Sequence, residues 1–274
     1  APGDHDARER IGRAIVSGKD GRATHLTKTL DARIGSAAAQ AAAATVEKSY
    51  DGDVPAFGER SRRSVLASVP EGLVPFAGGT GSGISAGTGA DSVPGVRVPE
   101  LFVGSGDHIG LVGPNGTGKS TLVRELVCRV PDDVPMVYVP QELSPAAARD
   151  AMRQLRELAP GEKGRVLSVV AQLNSEPEAL LATDMPSPGE LRKLVLALAS
   201  LRSPQLLVMD EPGNHLDLHS VQALERLLAG FPGAVVLVSH DARMVAAACS
   251  RVWELVPTGS ARDDGPASSV LRER

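Results

Sequence analysis

Apolar positions follow two rhythms along this chain, and the changes from one to the other divide it. Ile11, Ala14 and Ile15 recur at helical spacing over about 4–17, and Gly18-Lys19-Asp20-Gly21 breaks the pattern. Leu26, Leu30 and Ile34 then form one stripe of a second helix over about 22–48, and the two make a helical hairpin. Residues 49–69 read as an irregular passage with a short strand, and 75–92, rich in Gly, Ser and Thr, as a flexible loop or insertion. Apolar and β-branched runs at 96–102 and 108–112 predict two strands, and Met136-Val137-Tyr138-Val139 a third, ended by Pro140. From 144 to about 201 helical spacing takes over, with helices over 145–158, 166–173 and 190–201, as in a helical subdomain inserted into a sheet domain. Short apolar runs at 205–210 and 235–238 return to strands, with a helix over about 218–228 between them. A last strand at 251–255 precedes a polar tail, 259–274, expected to be disordered.

The candidate chemistry lies where apolar runs end. Between the strand at 108–112 and a helix-like stretch at 122–130 stands Gly113-Pro114-Asn115-Gly116-Thr117-Gly118-Lys119-Ser120-Thr121, the P-loop pattern G-x-x-x-x-G-K-[ST] in strand-then-helix context. Its glycines let successive N–H groups point inward at phosphate oxygens, where the helix N-terminus adds partial positive charge. Lys119 would reach the β- and γ-phosphates and Ser120 would hold Mg²⁺. The apolar run 205–210 closes on Asp210 and Glu211, the Walker B arrangement, in which Asp210 assists Mg²⁺ and Glu211 polarises the attacking water. Gln141 follows the strand at 136–139, and His240 follows the one at 235–238, on the strand edge where open α/β sheets meet their ligands. A lone His at a strand end is more often structural than catalytic, but this one falls on the edge of the P-loop and Glu211. Pro186-Ser187-Pro188-Gly189-Glu190 reads by spacing alone as a capped helix start, Ser187 the N-cap and Pro188 the first helical residue.

Composition narrows the rest. With 42% hydrophobic residues in 274, the chain can bury a sizeable core, and with aromatics at 3% that core is aliphatic and base stacking is an unfavoured way to meet nucleic acid. The net charge of -4 makes no global case for nucleic-acid binding. Cys128 and Cys249 lack metal-ligand spacing and read as small buried hydrophobes. No apolar stretch is long enough to span a bilayer and no signal peptide opens the chain, so the expectation is a cytoplasmic protein. It opens Ala1-Pro2-Gly3 rather than on Met, as a fragment or processed piece would.

In this order the segments resemble an ATP-binding cassette, specifically of the ABC-F family, whose members carry paired cassettes and no membrane domain. The resemblance rests on the P-loop GPNGTGKST, on Val139-Pro140-Gln141-Glu142 as Q-loop, on DEPGNHLD at 210–217 and on VSHD at 238–241, which contains the switch histidine. It implies an α/β P-loop NTPase fold, an ABC-type ATPase domain over 64–258 with its helical subdomain at about 144–203, preceded at 1–63 by the second half of the helical linker that joins the two cassettes. It also implies ATP and Mg²⁺ bound at Gly113 to Thr121 with Gln141 and Asp210, and hydrolysis by Glu211 with His240 and Gln141. The partner would be a second cassette, from an upstream half or a second copy, whose ATP meets the signature at Ser187 and Gly189. Family members act on the ribosome in translation or antibiotic resistance. Alternatives are the nucleotide-binding subunit of a membrane transporter and a module that binds ATP with little hydrolysis. Two departures bear on this: the usual LSGGE or LSGGQ is Pro186-Ser187-Pro188-Gly189-Glu190, so Pro188 has no N–H to offer, and Gly213 replaces the usual Thr. For stacking on adenine the upstream aromatics are Phe76 and Phe102.

Overall fold

The computed structural model describes residues 57–76, 94–258 and 268–274. The expected hairpin at 4–48, nearly all of the linker and the Gly-rich 77–92 lie outside the described residues. The elements are β1 (Val65–Val69), β2 (Gly72–Pro75), β3 (Gly95–Val98), β4 (Leu101–Gly104), β5 (His108–Val112), α1 (Lys119–Cys128) and β6 (Met136–Val139). They continue as α2 (Pro145–Glu157), α3 (Pro160–Gln172), α4 (Pro177–Ala182), α5 (Pro188–Ala199), β7 (Leu206–Asp210), α6 (Leu218–Ala229), β8 (Ala234–Val238), α7 (Ala242–Ala248), β9 (Arg251–Pro257) and β10 (Ser268–Glu273).

The main sheet has the order β2-β3-β10-β9-β5-β8-β7-β6, while β1 and β4 pair antiparallel by themselves. Strands β9, β5, β8, β7 and β6 run parallel, side by side. Every residue of β7 and β8 is buried, and the alternation of side chains sends them to opposite faces of the sheet. Leu207, Met209, Val235 and Leu237 join a core with α6, α7 and the helices α2 to α5, whereas Leu206, Val208, Ala234, Val236 and Val238 join another with Leu122, Val123 and Leu126 of α1. Continuous apolar runs are therefore required here, because neither face of these strands meets water. The order also fixes the site: β5, β8, β7 and β6 are parallel neighbours, so the residues after Val112, Val238, Asp210 and Val139 emerge along one edge of the sheet.

Four expectations are corrected. The run 96–102 is two strands, not one: Pro99 and Glu100 interrupt it, and β3 and β4 belong to different sheets. Helix α3 starts at Pro160, ahead of the predicted 166; Pro sits in its first turn, and a β-carbon on Gly161 or Gly164 would meet nothing within 4 Å. The tail is not disordered throughout: β10 pairs antiparallel with β9 and parallel with β3, with Leu271 buried and Glu273 bonded to Arg251. Cys128 is exposed rather than buried, because it points away from the Leu122, Val123 and Leu126 face of α1. Cys249 is half-buried, and burial pushes its thiol up to about 12.

Candidate functional site

The turn after β5 is shaped by glycine. Gly113, Gly116 and Gly118 take φ values of 149°, 81° and 92°, in the left-handed half of backbone space that a β-carbon disfavours. Gly118 caps α1, and a β-carbon there would stand 2.4 Å from Val96 Cγ2 and 2.5 Å from Phe76 Cε1, so the loop closes directly onto β3 and the end of β2. Inside it, Lys119 Nζ donates to the carbonyls of Gly113 at 2.8 Å and Pro114 at 3.0 Å, and Thr117 Oγ1 donates to Pro114 O at 2.8 Å. Lys119 is buried, so its charge is held across the mouth of the loop rather than in solvent.

Ser120, in the first turn of α1, donates its hydroxyl to Asp210 Oδ2 at 2.7 Å. Asp210 is buried at the end of β7, and its field acts on two neighbours. Burial raises the Tyr138 hydroxyl, with Asp210 adding to the rise. Burial lowers the Arg192 guanidinium, with Asp210 opposing the fall. Next in the chain, Glu211 takes φ 47°, a left-handed conformation rare for a side-chain-bearing residue. Its N–H donates to Val238 O at 2.9 Å and its carbonyl accepts from Asn214 N at 3.2 Å, which hold the turn in place. The Glu211 carboxylate is buried and meets His240 Nδ1 at 2.7 Å. Against an ionised carboxylate, which can only accept, Nδ1 is the donor of this bond, and the His240 side chain is mostly exposed.

These groups line one cleft of about 560 Å³, together with Phe76, Asn115, Gly116, Gly118, Thr121, Gln141 and Asn214. Gly113, Pro114 and Thr117 are not among its lining residues and build the loop's inner hydrogen bonds. Ser187 and Gly189 do not line it. Ser187 caps α5 as its spacing predicted: its hydroxyl accepts from Glu190 N at 3.3 Å while Glu190 Oε2 accepts from Ser187 N at 2.8 Å. Gly189 is packed so closely on the loop after Glu211 that a β-carbon would stand 2.7 Å from His215 O. Of the two upstream aromatics, Phe76 lines the cleft, and Phe102 is exposed on β4 opposite Ser68. Asn214 escaped the sequence reading although it lies within DEPGNHLD, because only the fold turns that loop toward Lys119.

No protein-family model matches the chain. Among curated proteins it is 37% identical over 159 residues to the tylosin resistance ATP-binding protein TlrC of Streptomyces fradiae, covering 54% of this chain and 29% of that protein. It is 29% identical over 169 residues to ABC transporter F family member 2 of Dictyostelium discoideum, covering 56% and 28%. The chain has the fold of an ABC-type ATP-binding cassette, and the relatives it matches include ABC-F-type ATP-binding proteins. It spans less than a third of the length of either relative. The zinc import ATP-binding protein ZnuC of Pseudomonas fluorescens is also 32% identical over 169 residues, covering 56% of this chain and 64% of that one. Among solved structures, a dimeric post-hydrolysis state of the ATP-binding cassette MJ0796 bound to ADP and Pi matches this cassette with a TM-score of 0.54 at 19% identity, over 76% of this chain and 98% of that one. Among the described residues no helix is long and apolar enough to cross a membrane.

The cassette's own donors fit ATP and Mg²⁺. Ser120 Oγ and Asp210 Oδ2 are hard oxygen donors 2.7 Å apart, the chemistry Mg²⁺ prefers, and they sit at the N-terminus of α1 beside an ammonium.

Proposed function

We propose that this cassette is one half of an ATP-driven switch that closes on a second cassette and reopens after hydrolysis, working on the ribosome in translation or in antibiotic resistance. One observation carries the reading of the site: a single cleft is lined by Lys119, by the Ser120–Asp210 pair and by the Glu211–His240 pair, each pair joined at 2.7 Å. In this reading the loop N–H groups and Lys119 bind the phosphates, and Phe76 offers a face to the base. Ser120, Asp210 and Gln141 would hold Mg²⁺, whose chemistry there is to neutralise charge on the β- and γ-phosphate oxygens. Glu211 accepts a proton from the attacking water and orients it in line, and His240, held through Nδ1 by Glu211, donates to the γ-phosphate from Nε2 when both ring nitrogens carry protons.

Ser187 and Gly189 lie outside the chain's own cleft, which supports assigning them to the nucleotide of a partner cassette. Pro188 has no N–H to give, so that contact falls to the Ser187 hydroxyl and the Gly189 amide. Residues 1–63 are assigned to the linker between cassettes. The ribosomal output rests on likeness to ABC-F proteins. The likeness to a zinc import ATP-binding protein favours a second reading, a subunit that drives a separate membrane protein.

The test is sedimentation with purified ribosomes of the Glu211→Gln variant, in the full-length protein. Hydrolysis should be lost while ATP binding persists, and ATP should carry the protein into the ribosomal pellet. ATP binding without association refutes the ribosomal role.

A further inference from the structure

Helix α5 carries a buried cation that the chemistry above does not use. Arg192, 2% exposed, lies in the second turn after Ser187. Its Nη1 donates to Pro212 O at 3.0 Å and also to Asn214 O, and its Nη2 donates to Gln141 O at 2.8 Å. Gln141 follows β6, and Pro212 and Asn214 follow Glu211, so one planar group ties the helical subdomain to both loops that line the cleft. Among the described residues the hydrogen-bond partners of this guanidinium are carbonyl oxygens rather than a carboxylate, and Arg192 Nε is buried without a hydrogen-bond partner.

A guanidinium taken out of water and met by carbonyl dipoles is a costly way to stabilise a fold. It is an effective way to hold separate peptide units in register, because the donors of the fork are fixed relative to one another, whereas a lysine ammonium is a single point. Neighbouring residues grip the same loop. Gly189 packs on His215 O, and Lys193 Nζ, which donates to Asn174 O at 2.7 Å, lies 3.9 Å from Asp217 Oδ2.

We propose that Arg192 is a positioning residue for hydrolysis: by holding the carbonyls of Gln141, Pro212 and Asn214 on one guanidinium, it makes the placement of Gln141 and Glu211 depend on where α5 stands. The proposal rests on the reading of the cleft as the site of ATP hydrolysis. A contact made to the N-terminus of α5 by a partner cassette is then transmitted to the attacking water within a single side chain's length.

The experiment compares wild type, Arg192→Lys, Arg192→Met and Glu211→Gln in the full-length protein, by steady-state hydrolysis, binding of a fluorescent ATP analogue and thermal denaturation. Arg192→Lys should lower kcat at least about tenfold with affinity for the analogue within about twofold, since misplacement of reacting groups is costly and the phosphate contacts are untouched. Wild-type kcat in Arg192→Lys overturns the proposal, as does a fall in melting temperature in both Arg192 variants with kcat per folded molecule unchanged. Hydrogen exchange of the wild type, with and without nucleotide, keeps the question open to test even where variants misfold. Protection at 188–199 and at 211–214 should change together, and independent changes overturn the coupling. Glu211→Gln separates the two levels. A variant that hydrolyses at the wild-type rate removes the reading of the cleft and the proposal with it; an inactive one beside a fully active Arg192→Lys overturns the proposal alone.

Discussion

Gly118→Ala tests how the phosphate loop is built. Gly118 sits at φ 92°, ψ 19°, and a β-carbon in the left-handed region costs about 1–2 kcal/mol. The same carbon would stand 2.4 Å from Val96 Cγ2 and 2.5 Å from Phe76 Cε1, each about 1 Å inside van der Waals contact. Val96 is fully buried in β3, which is paired on both sides by β2 and β10, so it has nowhere to go. Phe76, at the chain end of β2 and only half-buried, is the group that moves. Overpacking of this kind costs about 1–3 kcal/mol, for a sum of about 2–5 kcal/mol. Typical domains hold about 5–15 kcal/mol, so the variant folds with its melting temperature lowered by about 4–20 °C. Because Phe76 lines the cleft, binding of a fluorescent ATP analogue should weaken at least about tenfold, which is only about 1.4 kcal/mol. Thermal denaturation and titration of the analogue measure both. Val96→Ala should cost less in the Gly118→Ala background than in wild type, a coupling of about 1 kcal/mol between groups in contact. A Gly118→Ala variant that melts and binds like wild type, or additive effects at the two positions, would falsify this account of the loop.

Two other perturbations probe groups outside the cleft's chemistry. Asp217 caps α6, accepting from Ser220 N at 2.8 Å and Ser220 Oγ at 2.7 Å; burial works to raise its carboxyl, but these bonds, Lys193 and Asn174 hold it below the ordinary 3.8. With the folded-state pKa depressed, the stabilisation is complete above pH 3.8 and disappears as pH falls through the lower native value. Asp217→Ala should therefore cost about 1 kcal/mol at neutral pH in urea denaturation, and a gap to wild type that persists unchanged in strong acid would contradict the assignment. A thiol-specific disulfide reagent at pH 8 should modify the exposed Cys128 at once and Cys249, whose thiol burial pushes up to about 12, only on unfolding; equal rates at both positions would refute the burial of Cys249.

The geometry of the candidate site was legible in the sequence wherever it depended on neighbours in the chain. The phosphate loop is one continuous turn between a strand and a helix, and its glycines and lysine are recognisable by spacing because they act within nine residues. Likewise Ser187-Pro188-Gly189-Glu190 carries its whole capping box inside four residues, and β7 and β8 are apolar throughout because both their faces are covered. Two of the misreadings involve partners far away in sequence. Nothing within 259–274 says that Leu271 has a place to be buried, since that place is made by β9 and β3. Helical position puts Cys128 opposite the face that α1 buries, and only the packed sheet decides which face that is. Spacing could name Asp210, Glu211, Gln141 and His240 singly, but the parallel order β5, β8, β7, β6 is what brings them to one edge, Ser120 to within 2.7 Å of Asp210 and His240 to within 2.7 Å of Glu211. Arg192 shows the division most sharply. In sequence it is one of several charges at the start of a helix; in the fold it lies beneath two loops, holding carbonyls 20, 22 and 51 residues away, because burial and hydrogen-bond partnership are properties of the packed chain and not of any segment of it.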